Sequence, residues 1–305
     1  MARKKSDTKL VTAAVIAVIL IASALITHFA AGKPNGSSPS DTSSAVSTDG
    51  GKMYFNFIDV GQGDCTLITC GGKTVLIDVG EVGESQSVIN YIKNLGISRL
   101  DCVVATHPHS DHIGCMGYVL NAFEVGDVIM PEIPDKLVPT TTCYEKFLEA
   151  VEKKAENAYY AEVGEKYSYG DISFQIFAPV KDYDDLNNMS VVFKVSYGKT
   201  SVMLTGDAGN ASEADMLKNS CDFSADLIKL GHHGSRTSSS DAWLKAVNPK
   251  YAVISCGENN DYGHPHSQTV KRLDKYGIEY FRTDLLGDIV FVSDGNTVQK
   301  VTSSN

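Results

Sequence analysis

The stretch Leu100-Asp101-Cys102-Val103-Val104-Ala105-Thr106-His107-Pro108-His109-Ser110-Asp111-His112 decides the reading of this 305-residue chain. Its first part, Leu100–Ala105, is a short, mostly apolar run, and such a run predicts a buried strand. Its second part sets three histidines and an aspartate within six positions. Neutral imidazole and carboxylate are the ligands that zinc and similar divalent ions take. In a tight loop, residues two apart converge on one ion and the next pair points to a neighbouring one. Four such groups at one strand end are costly to hold together without a cation.

Two further stretches end strands in the same way. Leu204-Thr205-Gly206-Asp207 follows the strand pattern Ser201–Leu204 with a carboxylate. Leu230-Gly231-His232-His233-Gly234-Ser235 follows Ala225–Leu230 with histidines. Alone, Asp207 reads as a turn or capping residue. Beside the other two stretches it reads as a ligand, because strand ends of a layered sheet share one edge, and sites commonly form there.

On the N-terminal side, the segment Met53–Ile58 predicts a strand, and Cys65–Thr69 and Thr74–Ile77 predict two more about a Gly71-Gly72 turn. Ser85–Leu95 has helical spacing and ends at Gly96, and Thr142–Asn157 reads as a charged amphipathic helix. The second half continues with strands at Ile172–Phe177, Val191–Val195 and Tyr251–Ser255, and helices at Ala211–Lys218, Asp241–Val247 and Ser267–Tyr276. Strands with helices interspersed in both halves predict sheet layers covered outside by helices, an α/β fold.

Residues 1–31 differ from the rest. Arg3, Lys4, Lys5 and Lys9 precede a charge-free run from Leu10 to Ile26. At about 1.5 Å per residue, Leu10–Ala31 reaches roughly 30 Å, the thickness of a bilayer's hydrocarbon core. Residues 1–31 are therefore expected to be a signal peptide or a signal-anchor helix, and the polar stretch 32–51 a flexible linker. Residues 52–305 would form the folded, catalytic domain, extracytoplasmic and either secreted or held to the membrane through the N-terminal helix.

The net charge is −10, and residues 1–50 hold five Lys/Arg against three Asp/Glu, so the remainder is more acidic still. That balance excludes a strongly basic, non-specific nucleic-acid surface. It leaves open local capture of a phosphate at a metal site. Seven cysteines are present, with no Cys-x-x-Cys pair, so a structural zinc knuckle is not indicated and buried, inert thiols are expected.

His107, His109, Asp111 and His112 match the HxHxDH signature of the metallo-β-lactamase-fold hydrolases, and the chain resembles that family over residues 53–293. Within it, Phe57–Asp64, Asn188-Met189-Ser190, Thr205-Gly206-Asp207, His232-His233-Gly234-Ser235 and Gly263-His264-Pro265-His266 resemble the extracellular hydrolase domain of the ComEC family of competence DNA-uptake proteins. The resemblance implies an αββα sandwich, two divalent ions (zinc or manganese) and a phosphodiester substrate such as DNA. It also implies the ligand roles. His107 and His109 hold the first ion, Asp111, His112 and His232 the second, and Asp207 bridges them.

One departure concerns the first ion. Many members of the family supply it with a further histidine between the signature and the bridging aspartate, and this chain has none between His112 and His232. Asn187, Asn188 or Ser190 stands there instead, so this ion is expected to be held more weakly or to favour manganese. Asp111, His233 and His264 are the candidates for proton transfer, His264 alternatively for a phosphate contact. Ser235, Arg236, Asn188 and Ser190 are the candidates for binding substrate, Arg236 because its fork suits phosphate oxygens. Asp59 and Asp78 read as loop-fixing residues behind the site. The same motifs also fit hydrolysis of another ester (phosphorylcholine or wall-polymer ester, lactone, β-lactam), and a catalytically degenerate binding module is the reading from another class.

Overall fold

In the computed structural model, residues 51–302 are described. They form two β-sheets packed face to face. The first has eight strands in the order β15-β14-β1-β2-β3-β4-β5-β6. These are β1 (Met53–Phe57), β2 (Thr66–Cys70), β3 (Lys73–Ile77), β4 (Arg99–Val104), β5 (Glu124–Met130), β6 (Ala155–Tyr160), β14 (Ile289–Ser293) and β15 (Val298–Lys300). The second has seven strands in the order β13-β12-β11-β10-β9-β8-β7. These are β7 (Lys166–Tyr169), β8 (Ile172–Ala178), β9 (Val192–Tyr197), β10 (Thr200–Leu204), β11 (Leu227–Lys229), β12 (Tyr251–Ile254) and β13 (Glu279–Arg282).

Side-chain alternation explains the layering. Phe55, Phe57, Ile68, Val75 and Val104 of the first sheet meet Phe174, Phe193, Leu204, Leu227 and Val253 of the second in one buried core. Their neighbours on the opposite face, Leu67, Leu76 and Val103, pack against the helices Ser85–Asn94, Met116–Ala122 and Thr142–Lys154. Met203, Ile228, Ala252 and Ile254 do the same on the far side, against Asn210–Met216, Asp241–Val247 and Ser267–Tyr276. Because successive strand residues point to opposite faces, each strand serves two cores. The result is the αββα sandwich expected from the sequence.

Within each sheet a parallel block places strand ends together. β3, β4, β5 and β6 are parallel, as are β10, β11, β12 and β13. The loops leaving the C-terminal ends of β3, β4, β10, β11 and β12 all carry polar side chains to one edge of the sandwich, and the site forms there.

Some boundaries differ from expectation. The helix beginning at Thr142 stops at Lys154, and the chain passes directly into β6. Ala155-Glu156-Asn157 continues the polar helical pattern, but its backbone is drawn into parallel pairing with β5. Tertiary pairing here overrides local propensity.

The expected signal or anchor helix at 1–31 and the linker up to residue 50 lie outside the described residues. Among the described residues, no helix is long and apolar enough to cross a membrane. The 13-residue helix Thr142–Lys154 carries six charged side chains, and a span needs about 20 predominantly apolar residues. The expected membrane partner and membrane-anchored location are corrected accordingly: no described helix supports them.

Candidate metal centre

Asp78, at the end of β3, organises the site from below. It is fully buried and sits in the left-handed backbone region, at φ 52°. Its carboxylate accepts the Thr106 amide at 2.8 Å and the Thr106 hydroxyl at 2.6 Å. The same carboxylate lies 2.7 Å from Nδ1 of His112. That contact fixes the ring of His112 so that Nε2 points outward, 3.3 Å from Oδ1 of Asp207. A carboxylate behind a ligating histidine commonly sets its tautomer and orientation.

His233 is held in the same fashion. Its Nδ1 donates to the Ser255 carbonyl at 2.9 Å, leaving Nε2 at 3.1 Å from Asp111 and 3.6 Å from Asp207. His232 and His233 both adopt left-handed backbone angles, φ 51° and 53°. For a non-glycine residue such a conformation is strained, and strain of this kind persists where surrounding structure enforces it, often at functional sites. The turn sends the two adjacent side chains to different partners, and Nε2 of His232 lies 3.8 Å from Oδ2 of Asp207.

A buried ion pair braces the back of the cluster. Lys229, at the end of β11, bonds to Asp64 with both side chains almost fully buried. Oδ1 of Asp64 lies 3.4 Å from Nδ1 of His233. The backbone amide of Asp64 donates to the Asp111 carbonyl at 3.0 Å. Gly63 is required beside it, since a Cβ there would stand 2.5 Å from that carbonyl.

Two candidate metal-binding clusters result, sharing His112. In the first, ligand atoms of Asp111, His112, Asp207 and His233 all lie within 4.8 Å of one another, as do those of Asp64, Asp78 and His112 in the second. In the second, the Lys229 ammonium already serves Asp64, and Asp78 serves Nδ1 of His112. Beside the first cluster, Nε2 of His107 lies 3.0 Å from Nδ1 of His109 and 3.9 Å from Oδ2 of Asp207.

Charge balance follows from this packing. Burial raises the cost of ionising Asp207, yet His233, His112 and His107 overcome it and hold the carboxylate well below the usual range. Against its burial, His112 is pushed well above the ordinary imidazole value by Asp207 and Asp78. Burial and the neighbouring His112 push His107 well down. The donor set fits divalent cations on a direct observation: Nε2 of His112 and Oδ1 of Asp207 are buried and face each other at 3.3 Å without a well-formed hydrogen bond. Buried groups left with so poor a contact are costly, and one cation would satisfy both.

In front of the cluster lies a pocket of about 300 Å³, lined by Gln62, His109, Ser110, Asp111, Asn187, Asp207, His232, His233, Tyr262 and His264. His264 is lowered to about 4 by burial and by the histidines around it, so near neutrality it presents a neutral ring. Four residues expected at the substrate are placed elsewhere. Asn188 binds Asp185 and the amides of Gly209 and Ser212, fastening a loop. Ser190 supports Nδ1 of His107 at 3.3 Å and accepts the Asp207 amide at 3.0 Å. Ser235 is buried against Thr237, and Arg236 is exposed beside His266. Asn187, Ser110 and Tyr262 line the pocket instead. Nothing in their sequence context marks the last two, except that they neighbour motif residues.

Imidazoles and carboxylates gathered from two sheets around such a pocket define the class: a dinuclear-metal hydrolase on an αββα sandwich. The chain belongs to the metallo-β-lactamase superfamily, whose model matches residues 58–258. It is 30% identical over 256 residues to ComE operon protein 3 of Bacillus subtilis, covering 77% of this chain and 32% of that protein. It is 31% identical over 237 residues to competence protein ComA of Neisseria gonorrhoeae, covering 76% and 31%. The chain thus spans about a third of the length of these curated relatives. Among solved structures, the metallo-beta-lactamase fold protein YhfI of Bacillus subtilis aligns with a TM-score of 0.55 at 13% identity, covering 80% of this chain and 100% of that one. The fold is shared at that distance. All seven cysteines are free, five of them buried.

Proposed function

We propose that the chain is a metal-dependent phosphodiesterase acting on DNA. The observation that carries this reading is the similarity to a competence protein of Neisseria gonorrhoeae over 237 residues, taken with the motif resemblance to the competence DNA-uptake family. The site chemistry agrees with it. Asp111, His112, Asp207 and His233 would hold one ion. His107, His109 and His232 would hold the other, with Asp207 serving both. When bound, two such ions supply Lewis-acid activation of water and stabilise charge on the reacting phosphoryl group. Zinc and manganese both suit these ligands.

The chain's own side chains supply the rest. Asp111 lines the pocket with 22% of its side chain exposed and would take a proton from the attacking water. His264 faces the same pocket as a neutral hydrogen-bonding ring. The net charge of −10 works against a long polyanion laid across the surface. The substrate is therefore a short or single-stranded segment rather than a long duplex laid across the surface.

The test uses metal-stripped protein resupplied with manganese or zinc, given labelled single-stranded DNA, bis(p-nitrophenyl) phosphate and a chromogenic β-lactam. Cleavage of both diesters is expected, falling roughly a hundredfold or more in Asp207→Ala. Intact diesters despite two bound ions per chain would sink the proposal, and turnover of the lactam alone would replace it.

A further inference from the structure

Tyr262 stands at the mouth of the pocket with 65% of its surface exposed. A single exposed aromatic is ordinary on a protein surface; this one is held in place. Its ring lies on that of His264, centroids 5.5 Å apart and planes within 18°. His264 in turn stacks on His233, at 6.1 Å and 29°. One face of Tyr262 is thus backed by imidazoles reaching into the site, and the other is open.

The loop that carries Tyr262 is fixed at both ends by one residue. Asn260 donates to the Gly257 carbonyl at 2.9 Å and to the His264 carbonyl at 2.7 Å, and it accepts the His264 amide at 2.9 Å. A preorganised aromatic face loses little freedom when a ligand covers it. The same pocket wall includes Gln62 and Asn187, where Nε2 of the first and Oδ1 of the second are buried without partners.

We propose that Tyr262 is a stacking platform that seats a nucleobase of the substrate beside the scissile phosphodiester; this rests on the phosphodiester reading above. A planar ring with donors and acceptors on its edge answers each of these features, since every base offers a π-face and polar edge atoms. An acyl group offers no π-face, and a sugar ring meets an aromatic face only through its C–H bonds. A choline headgroup would engage one aromatic ring but would leave the donor and acceptor unmatched.

The experiment is calorimetric titration of the full chain, loaded with manganese, with thymidine 5′-monophosphate, 2-deoxyribose 5-phosphate and phosphocholine. The nucleotide is expected to bind about tenfold more tightly than the sugar phosphate, as stacking on one aromatic residue gives. Tyr262→Ala should abolish that preference and leave the sugar phosphate unchanged, and Tyr262→Phe should restore it. Equal binding of the two phosphates by the native chain overturns the platform, as does a preference that survives in Tyr262→Ala or a loss falling mainly on phosphocholine. If the preference holds while no diester is hydrolysed, the platform stands and the phosphodiester reading falls.

Discussion

Two adjacent histidines, His232 and His233, show how much one backbone turn decides at this site. Both sit in left-handed conformations in one tight turn, so their rings diverge. His233 is fully buried with Nδ1 on a carbonyl and Nε2 at Asp111. His232 is 26% exposed at its side chain, with Nε2 facing the second oxygen of Asp207 and Nδ1 3.4 Å from the Thr237 hydroxyl. His233→Ala is therefore expected to lose the ion held by Asp111 and His112, weakening its affinity by about 10- to 100-fold or more. His232→Ala should affect the other ion and leave this one in place. Counting bound manganese per chain during stepwise chelation distinguishes them, and equal losses in both variants would refute the division. The HxHxDH cluster was legible in the sequence because its spacing has few uses other than a cation. The division between His232 and His233 was not, because adjacent residues share a spacing, and the backbone angles that separate them depend on the whole turn.

Secondary-structure elements meet at the site through one buried bond. Lys229 ends β11 of the second sheet, and Asp64 lies just before β2 of the first. Their pairing ties the two halves directly beneath the metal ligands. Lys229→Met keeps the apolar stem but leaves Asp64 buried without its cation, an arrangement that costs about 3–5 kcal/mol. For a domain of this size, a melting temperature lowered by about 10 °C is expected. Asp64→Asn added to Lys229→Met should recover part of that loss, since it removes the unpaired charge. A single variant that melts within about 2 °C of the native chain would show that water or a neighbour replaces the lysine. This pair escaped the sequence reading because Lys229 lies inside the apolar run Leu227–Leu230 and looks like an interruption of a strand. The strands β10 to β12 and their helices were legible because each apolar run ends in a turn signal. β5, β6 and β7 were not, since Glu124-Val125-Gly126-Asp127, Ala155-Glu156-Asn157 and Lys166-Tyr167-Ser168 mix polar residues into strands that are formed by their neighbours rather than by their own pattern.

Across the fold, the ligands come from both sheets. His107, His109, Asp111 and His112 follow β4 of the first, and Asp207 and His233 follow β10 and β11 of the second. Ions bound there would cross-link the two layers of the sandwich at one edge, where no strand pairs with the other sheet. Binding to the folded chain alone then stabilises it by mass action, about 4 kcal/mol for one ion at a thousand times its dissociation constant. Chelation should accordingly lower the melting temperature by about 8–16 °C in a domain of this size, and added manganese should restore it. Asp207→Ala removes the carboxylate that faces His112 on one side and His107 on the other. In that variant the chelator should have little further effect, so the metal-dependent part of the melting shift should disappear together with turnover. If Asp207→Ala kept the full shift on chelation, the stabilising ion would lie elsewhere, and the edge where the sheets converge would be a chemical site without a structural duty. If the shift vanished in Asp207→Ala while the fold survived, the same two-sheet geometry would account for both, because an ion that needs ligands from each layer is held only when the layers are correctly packed.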